Sequence, residues 1–289
     1  MITRTVPMIL DSFVGRKRYK MMKKALLFVM TVISLFGCSD GNDDNNNTVS
    51  PNGKHLVSIY MTGPGNSKKE VITYDFLGRV SMLTQHIYGN DGGISSLAYK
   101  YTYTDTLITV QSVSASDGLA NGPQYDYTYK NGRVVEQTVY MGRFPNIEPY
   151  NYDAEGHLTA IGQNLYNTYE WSNGNLVKMP LGGAIVEYTY SSIPNTIPNI
   201  VTYGDPMLEW KGYYGKRTPF LPSRAKLYAY VAKDLFDEPE LVCYESLDYN
   251  YTMLGGVVTK VERTTHVLND MGGVIKDDGA VCTWTYEYE

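Results

Sequence analysis

The sequence predicts an all-β protein, a long antiparallel meander of hairpins curled or partly closed into a barrel-like sheet. Three observations carry that expectation. The 289 residues include 27 Tyr against 7 Phe and 3 Trp, and Tyr, with an apolar ring and a polar tip, suits half-buried strand positions. One short unit recurs along the chain: an aromatic residue, a turn containing Gly, and an aliphatic residue. Between these units aromatic residues alternate with Thr, Val and Ile, as in Tyr125, Tyr127 and Tyr129 or Trp284, Tyr286 and Tyr288, the period of two that marks strands.

Taken in order, residues 1–20 read as an over-extended gene start and Met21 or Met22 as the true one. Met21-Met22-Lys23-Lys24 is a short basic stretch, and Ala25 to Gly37 is an apolar run that ends at Cys38. Such a run is too short to span a bilayer comfortably but suits a signal-peptide core. Leu35-Phe36-Gly37-Cys38 resembles the lipobox of bacterial lipoproteins, which makes residues 1–37 over-extended start plus signal peptide and Cys38 the acylated first residue. Residues 38–54 are polar, acidic and rich in Asn, the composition of a flexible tether. Acidic residues close behind the Cys resemble the surface-export signal of Bacteroidetes lipoproteins. That resemblance implies an outer-membrane protein facing outward, with the periplasmic face as the alternative. The export segment is basic: residues 1–37 hold seven of the 25 Lys and Arg and one of the 30 Asp and Glu. The remainder carries 18 basic and 29 acidic side chains, a net −11, which phosphate backbones repel, so no nucleic-acid partner is expected.

Residues 55–289 form the Tyr-rich domain. Tyr74 to Val80, Tyr152 to Leu158 and Tyr251 to Val257 all read Tyr-x-x-x-Gly-x-aliphatic, and Tyr129 to Val134 and Trp171 to Leu176 are Asn-Gly versions. Asn-Gly favours a two-residue type I′ turn, and the longer form suits a three-residue loop with its Gly in the left-handed conformation. The predicted cross-strand pairs are Tyr74–Val80, Tyr129–Val134, Tyr152–Leu158, Trp171–Leu176 and Tyr251–Val257, each contributing roughly 0.2–1 kcal/mol and helping to fix register. The only helix the pattern admits is a short one within Arg224 to Leu235.

These units resemble the YD repeats of large bacterial surface and toxin-shell proteins. The body as a whole, with Gly215 to Ser223 and the closing Tyr-x-Tyr-Glu strand, resembles a Bacteroidetes family of uncharacterised lipoproteins described as porin-like in fold. That resemblance implies a meandering β-sheet and no assigned activity. The strand faces mix Glu, Lys, Gln and Thr with the aromatics, unlike the continuous outward apolar band of a transmembrane barrel.

The search for chemistry excludes more than it finds. Gly212 to Thr218 lacks the P-loop pattern, with Trp210 and Arg217 where Gly and Ser/Thr are required. The four His are scattered without metal-ligand spacing, no Gly-x-Ser-x-Gly elbow exists, and no cofactor is expected. Cys243 and Cys282 invite a disulfide in an exported chain. Pairing Tyr251 with Val257, however, sets Cys243 opposite Thr265 and Cys282 about 9.5 Å away, which predicts free, buried thiols. Asp105-Thr106-Leu107 resembles a short O-glycosylation signal of these bacteria.

The most distinctive composition is Trp210 to Lys226, where five basic side chains sit among Trp210, Tyr213, Tyr214 and Phe220. Read as an exposed loop, it makes Trp210, Tyr213, Tyr214, Lys216 and Arg217 the candidate ligand contacts, suited to stacking on sugar rings or gripping an acidic group. Read structurally, its aromatics cover one end of the sheet. The sequence thus points to a non-enzymatic lipoprotein, tied to the membrane through Cys38, that binds a glycan or another envelope component. The alternatives are an accessory subunit of an outer-membrane assembly and, after it, a glycan hydrolase.

Overall fold

The computed structural model describes residues 54–141, 144–162, 168–181, 183–197, 204–231, 239–268 and 279–289. The signal, Cys38 and the tether lie outside them. Sixteen strands follow one another: β1 (Leu56–Gly63), β2 (Asn66–Tyr74), β3 (Val80–Gly89), β4 (Ile94–Tyr103), β5 (Leu107–Val113), β6 (Ala120–Lys130), β7 (Arg133–Met141) and β8 (Phe144–Tyr152), then β9 (Leu158–Ile161), β10 (Glu170–Ser172), β11 (Asn175–Leu181), β12 (Ala184–Pro194), β13 (Phe220–Val231), β14 (Glu240–Leu254), β15 (Val257–Val267) and β16 (Val281–Tyr288). All neighbours are antiparallel, and β1 pairs with β16, so the meander comes round on itself. Its remaining seam, between β9 and β10, is bridged by Ala160 opposite Thr168 and by Tyr169 N–H donating to the Thr159 carbonyl at 2.8 Å. The sheet is a nearly closed barrel, as the repeated hairpins predict. Near-closure limits the unpaired edges that would otherwise template aggregation.

Register and burial sort the side chains into two faces. Inward lie rows such as Tyr286, Ile59, Glu70 and Gln85, all but solvent-free. Outward lie Thr102 beside Thr109, then Asp126 and Thr138, together with the ion pairs Lys178–Glu170 (2.9 Å), Arg224–Asp248 (2.5 Å) and Lys260–Glu262 (2.7 Å). The outer face thus carries ion pairs and hydroxyls, and most of the aromatics lie inside.

The repeat unit acts as a fastener. At the end of the barrel where the tight turns lie, the aromatic before each turn donates a hydrogen bond to the backbone carbonyl that begins the return strand of the adjacent unit. Tyr103 reaches Val80 (2.8 Å), Tyr152 reaches Val134 (2.7 Å), Tyr190 reaches Leu176 (2.5 Å), Tyr251 reaches Pro222 (2.5 Å) and Tyr288 reaches Val258 (3.1 Å). Tyr74 does the same to Leu56. Trp171 carries the belt over the seam, its indole N–H donating to Leu158 at 2.7 Å. At the eighth place, Tyr129 packs edge-on against Tyr213, with centroids 5.2 Å apart.

The Asp of the unit has its own part. Asp75 accepts from the N–H groups of Leu77 and Arg79, both at 2.9 Å, and from the Arg79 side chain at 2.7 Å. Those bonds hold its carboxyl below the usual carboxylate range against a burial effect that opposes them. Asp153 binds Glu155, His157 and the His157 ring in the same pattern. The side chains held this way lie on the next aromatic of the belt, Arg79 over Tyr103 at 4.4 Å and His157 stacked on Trp171 at 4.6 Å, and Arg133 of the Asn-Gly unit lies likewise over Tyr152 at 4.3 Å.

Four of the predicted pairs occur: Tyr74–Val80, Tyr129–Val134, Tyr152–Leu158 and Trp171–Leu176. The fifth does not. Gly255 and Gly256 both take positive φ (61° and 85°) and make a two-residue turn, which sets Leu254 opposite Val257 and Tyr251 opposite Val261. Thr265 accordingly faces Leu247 and not Cys243, while Cys282 faces Arg263; on its other side Cys243 faces Tyr228 of β13. Both thiols are free, and they are half-buried rather than buried. The segment 224–231, offered as a helix, belongs to β13, where Leu227 and Ala229 turn inward from alternate positions.

Candidate functional site

Between β12 and β13 the chain leaves the sheet and folds into the barrel end as a stopper. Asp205 stands in the extended conformation and accepts from the N–H groups of Met207 (2.9 Å) and Leu208 (3.0 Å), capping the short helix α1 (Pro206–Trp210). Pro at the first helical position costs nothing, because its missing N–H would have no partner there. Inside the barrel the Asp205 carboxylate also accepts from the Tyr101 hydroxyl at 3.1 Å, and its own N–H donates to the Tyr214 hydroxyl at 2.9 Å. Burial outweighs these bonds and lifts its carboxyl to about 6. Tyr214 stacks on Tyr150, with centroids 5.2 Å apart and planes 16° apart. Gly204 permits this approach, since a Cβ there would lie 2.7 Å from the Tyr214 ring.

The rest of the stopper binds the wall through backbone and cations. Lys211 donates to the Gly78 carbonyl at 2.7 Å and lies over the Tyr74 and Trp210 rings at 5.1 Å each. The Tyr213 carbonyl accepts from Val134 at 2.7 Å, and Lys216 N–H donates to Gly156 at 2.9 Å. Asn195 donates to the Thr218 carbonyl at 3.0 Å, and Thr218 to the Asn175 side chain at 2.5 Å. Burial raises the Tyr213 hydroxyl to about 12, and the neighbouring Tyr129 adds to the effect.

Of the candidate ligand contacts, Trp210, Tyr213, Tyr214 and Arg217 are buried, and the side chain of Lys216 alone is exposed. The reading of 210–226 as an exposed loop is therefore corrected. Residues 206–210 are helix, 211–219 cross the barrel mouth, and Phe220 opens a strand. The aromatics face the rings of the wall, because desolvating three large rings outweighs exposing them, and the Lys211 cation is met by a carbonyl and ring faces. Asp205 was missed, although Gly-Asp-Pro before Met-Leu-Glu-Trp is a helix-start signature.

Two further groups of polar side chains lie in the lumen. Glu70 meets Lys68 at 2.6 Å and Gln85 at 2.8 Å, with burial raising the acid and lowering the amine. Burial lifts Glu245 to about 7, against the opposing charge of Arg263. Among the described residues no three His, Cys, Asp or Glu side chains are grouped to hold a metal ion.

The opposite end of the barrel has a different surface. Ile94, Leu119, Tyr140, Phe144 and Ile147 are exposed there, on β4, the β5–β6 turn, β7 and β8, with Phe144 83% exposed. Tyr140 and Pro145 are paired in the sheet, which places this apolar group on one side of the rim.

A stoppered, nearly closed antiparallel barrel is the class that the fold and this site define. No family model and no curated protein matches the chain. Among solved structures, it is similar to a porin-like protein from Bacteroides uniformis ATCC 8492, with a TM-score of 0.57 and 17% identity over 81% of this chain and 96% of that one. A porin-like protein from Bacteroides vulgatus ATCC 8482 aligns with a TM-score of 0.47 and 11% identity, over 82% and 99% of the two chains. The first likeness extends to the fold.

Proposed function

We propose that this is a non-enzymatic, lipid-anchored protein of the bacterial outer membrane that engages another envelope component through the barrel end opposite its anchor. The observation that carries the reading is the polarity of the wall. Hydroxyls and ion pairs outside, with aromatics and a stopper inside, suit a body standing in water and not a channel. The Leu-x-Gly-Cys sequence at Cys38 supports the anchor, and the porin-like Bacteroides neighbour supports an envelope setting. The occupant favoured at the rim is a protein partner. Ile94, Leu119 and Ile147 beside Phe144 form an aliphatic surface of the kind that protein interfaces bury. The glycan reading loses its first anchors with the burial of Trp210 and Tyr213, and it retains the exposed rings of Tyr140 and Tyr230.

A photo-crosslinking side chain placed at Phe144 in growing cells tests this. One discrete protein adduct, absent when the probe sits at Lys100 on the outer wall, is the expected result. No adduct, together with retardation of the purified protein in gels carrying one polysaccharide, would replace the protein partner with a glycan. Ion conductance by the purified protein across a planar bilayer would overturn the reading altogether.

A further inference from the structure

At the stoppered end the barrel's first strand begins between two apolar tips. His55 and Glu289 exchange backbone hydrogen bonds at 2.6 and 2.8 Å, so the entry to β1 and the exit from β16 lie side by side. The turns on either side of that junction are β2–β3 and β14–β15. The first carries Phe76 and Leu77, 93% and 51% exposed, and the second Met253 and Leu254, 46% and 72% exposed. Phe220, at the start of the strand beside β14, adds a fifth exposed apolar side chain. The other tight turns at this end are polar: Thr104-Asp105-Thr106, Asn131-Gly132, Ala154-Glu155 and Asn173-Gly174. Among the described residues, the exposed apolar turn tips at this end are thus those of the two turns that flank the start of the barrel. Between the first of them and His55 lies a cleft of about 420 Å³.

We propose that these two tips are a membrane-docking face that seats the stoppered end of the barrel on the lipid surface. The proposal rests on the reading of Cys38 as the anchor. Cys38 and Lys54 are sixteen positions apart, a length that spans at most about 50–60 Å. An anchor of that reach holds the barrel near the bilayer without fixing which side faces it. Apolar side chains on both sides of the attachment point fix it, by entering the headgroup and acyl boundary as interfacial apolar faces do. Docking so directs the opposite rim, with Phe144, away from the membrane.

The test uses the full mature chain on vesicles of phosphatidylethanolamine and phosphatidylglycerol with brominated acyl chains, comparing Phe76→Trp with Tyr230→Trp. Tyr230 is 60% exposed near the far end and serves as the matched control. A tip seated ~5–10 Å into the boundary brings the introduced indole against bromine, so its emission, read as the difference from the unsubstituted chain with its three native Trp, falls about twofold or more, while that at position 230 is unchanged. Equal quenching at both positions, or none at 76, overturns the docking face. The mass of the purified chain reports acylation separately, so an acylated chain without quenching at 76 fails this proposal and leaves the anchor standing. A chain without acylation fails the anchor, and docking is then read from the same two variants with vesicles in excess.

Discussion

Replacing Asp205 by Asn should make the protein more stable at neutral pH and change little in acid. Burial lifts this carboxyl to about 6, against 3.8 in an open chain. The folded state therefore binds the proton more tightly than the unfolded one. Stability from this group is fully present below pH 4 and is lost as pH rises through 6. That difference corresponds to about 3 kcal/mol, at 1.36 kcal/mol per pH unit. Asn keeps the oxygen that accepts from Met207 and Leu208, and it caps helices as well as Asp does. Its amide can donate to the Tyr101 hydroxyl in place of the present bond. Urea unfolding of both proteins from pH 4 to pH 8 gives a difference curve in which Glu70 and Glu245, which titrate in the same direction, cancel. The expected curve is near zero at pH 4 and rises to about 3 kcal/mol in favour of the variant by pH 7. A difference that does not vary with pH, or a variant less stable at neutral pH, would show that the Asp205 carboxylate is not the enclosed anion described above.

Further outcomes follow from the belt and its turns. Trp171→Phe removes the indole donor that crosses the seam to Leu158, and should lower unfolding free energy in urea by about 1–2 kcal/mol, with hydrogen exchange rising first at β9 and β10. Gly215→Ala forces a side chain at φ +83° into the Gly156 carbonyl oxygen and the Tyr152 ring. Gly132→Ala meets only the backbone penalty of its positive φ, with nothing within 4 Å. The first should cost several-fold more than the second, which is about 1 kcal/mol by thermal melts. Asp75→Ala takes away two turn hydrogen bonds and the Arg79 contact. It should cost about 1–3 kcal/mol near neutral pH, and the cost should shrink as the pH falls through the lowered titration of the folded carboxyl.

The fold was legible because the repeat writes its geometry locally. Asn131-Gly132 and Asn173-Gly174 take the positive φ that a two-residue turn demands, and pairing of the flanking aromatic and aliphatic residues then follows. The one misplaced pair, Tyr251–Val257, shows the limit. Gly255-Gly256 satisfies both turn types equally, and only the packing of Val258 and Val261, each 0% exposed, decides between them. The stopper was legible in part. Its composition stood out, but Lys211, Lys216 and Arg217 made it read as solvent-facing. What reverses that is non-local: Gly78 is 133 residues from Lys211 and Tyr101 is 104 from Asp205, and no local pattern carries such partners. The belt hydrogen bonds were hidden for the same reason, since each joins residues 13 to 30 positions apart, as in Trp171 to Leu158 and Tyr288 to Val258.

The aromatic belt has a consequence for how such a barrel could change size. Away from Tyr129, each hairpin brings both halves of a joint, a hydroxyl or indole donor for one neighbour and a carbonyl for the other. Duplicating or deleting one hairpin therefore leaves every remaining joint with its mate, provided the last unit still meets the first. A chain built like this can lengthen or shorten in steps of two strands without inventing a new contact. What resists the change is the stopper, which is cut to one circumference. In this architecture the stopper, more than the wall, would be the gauge that holds the count at sixteen.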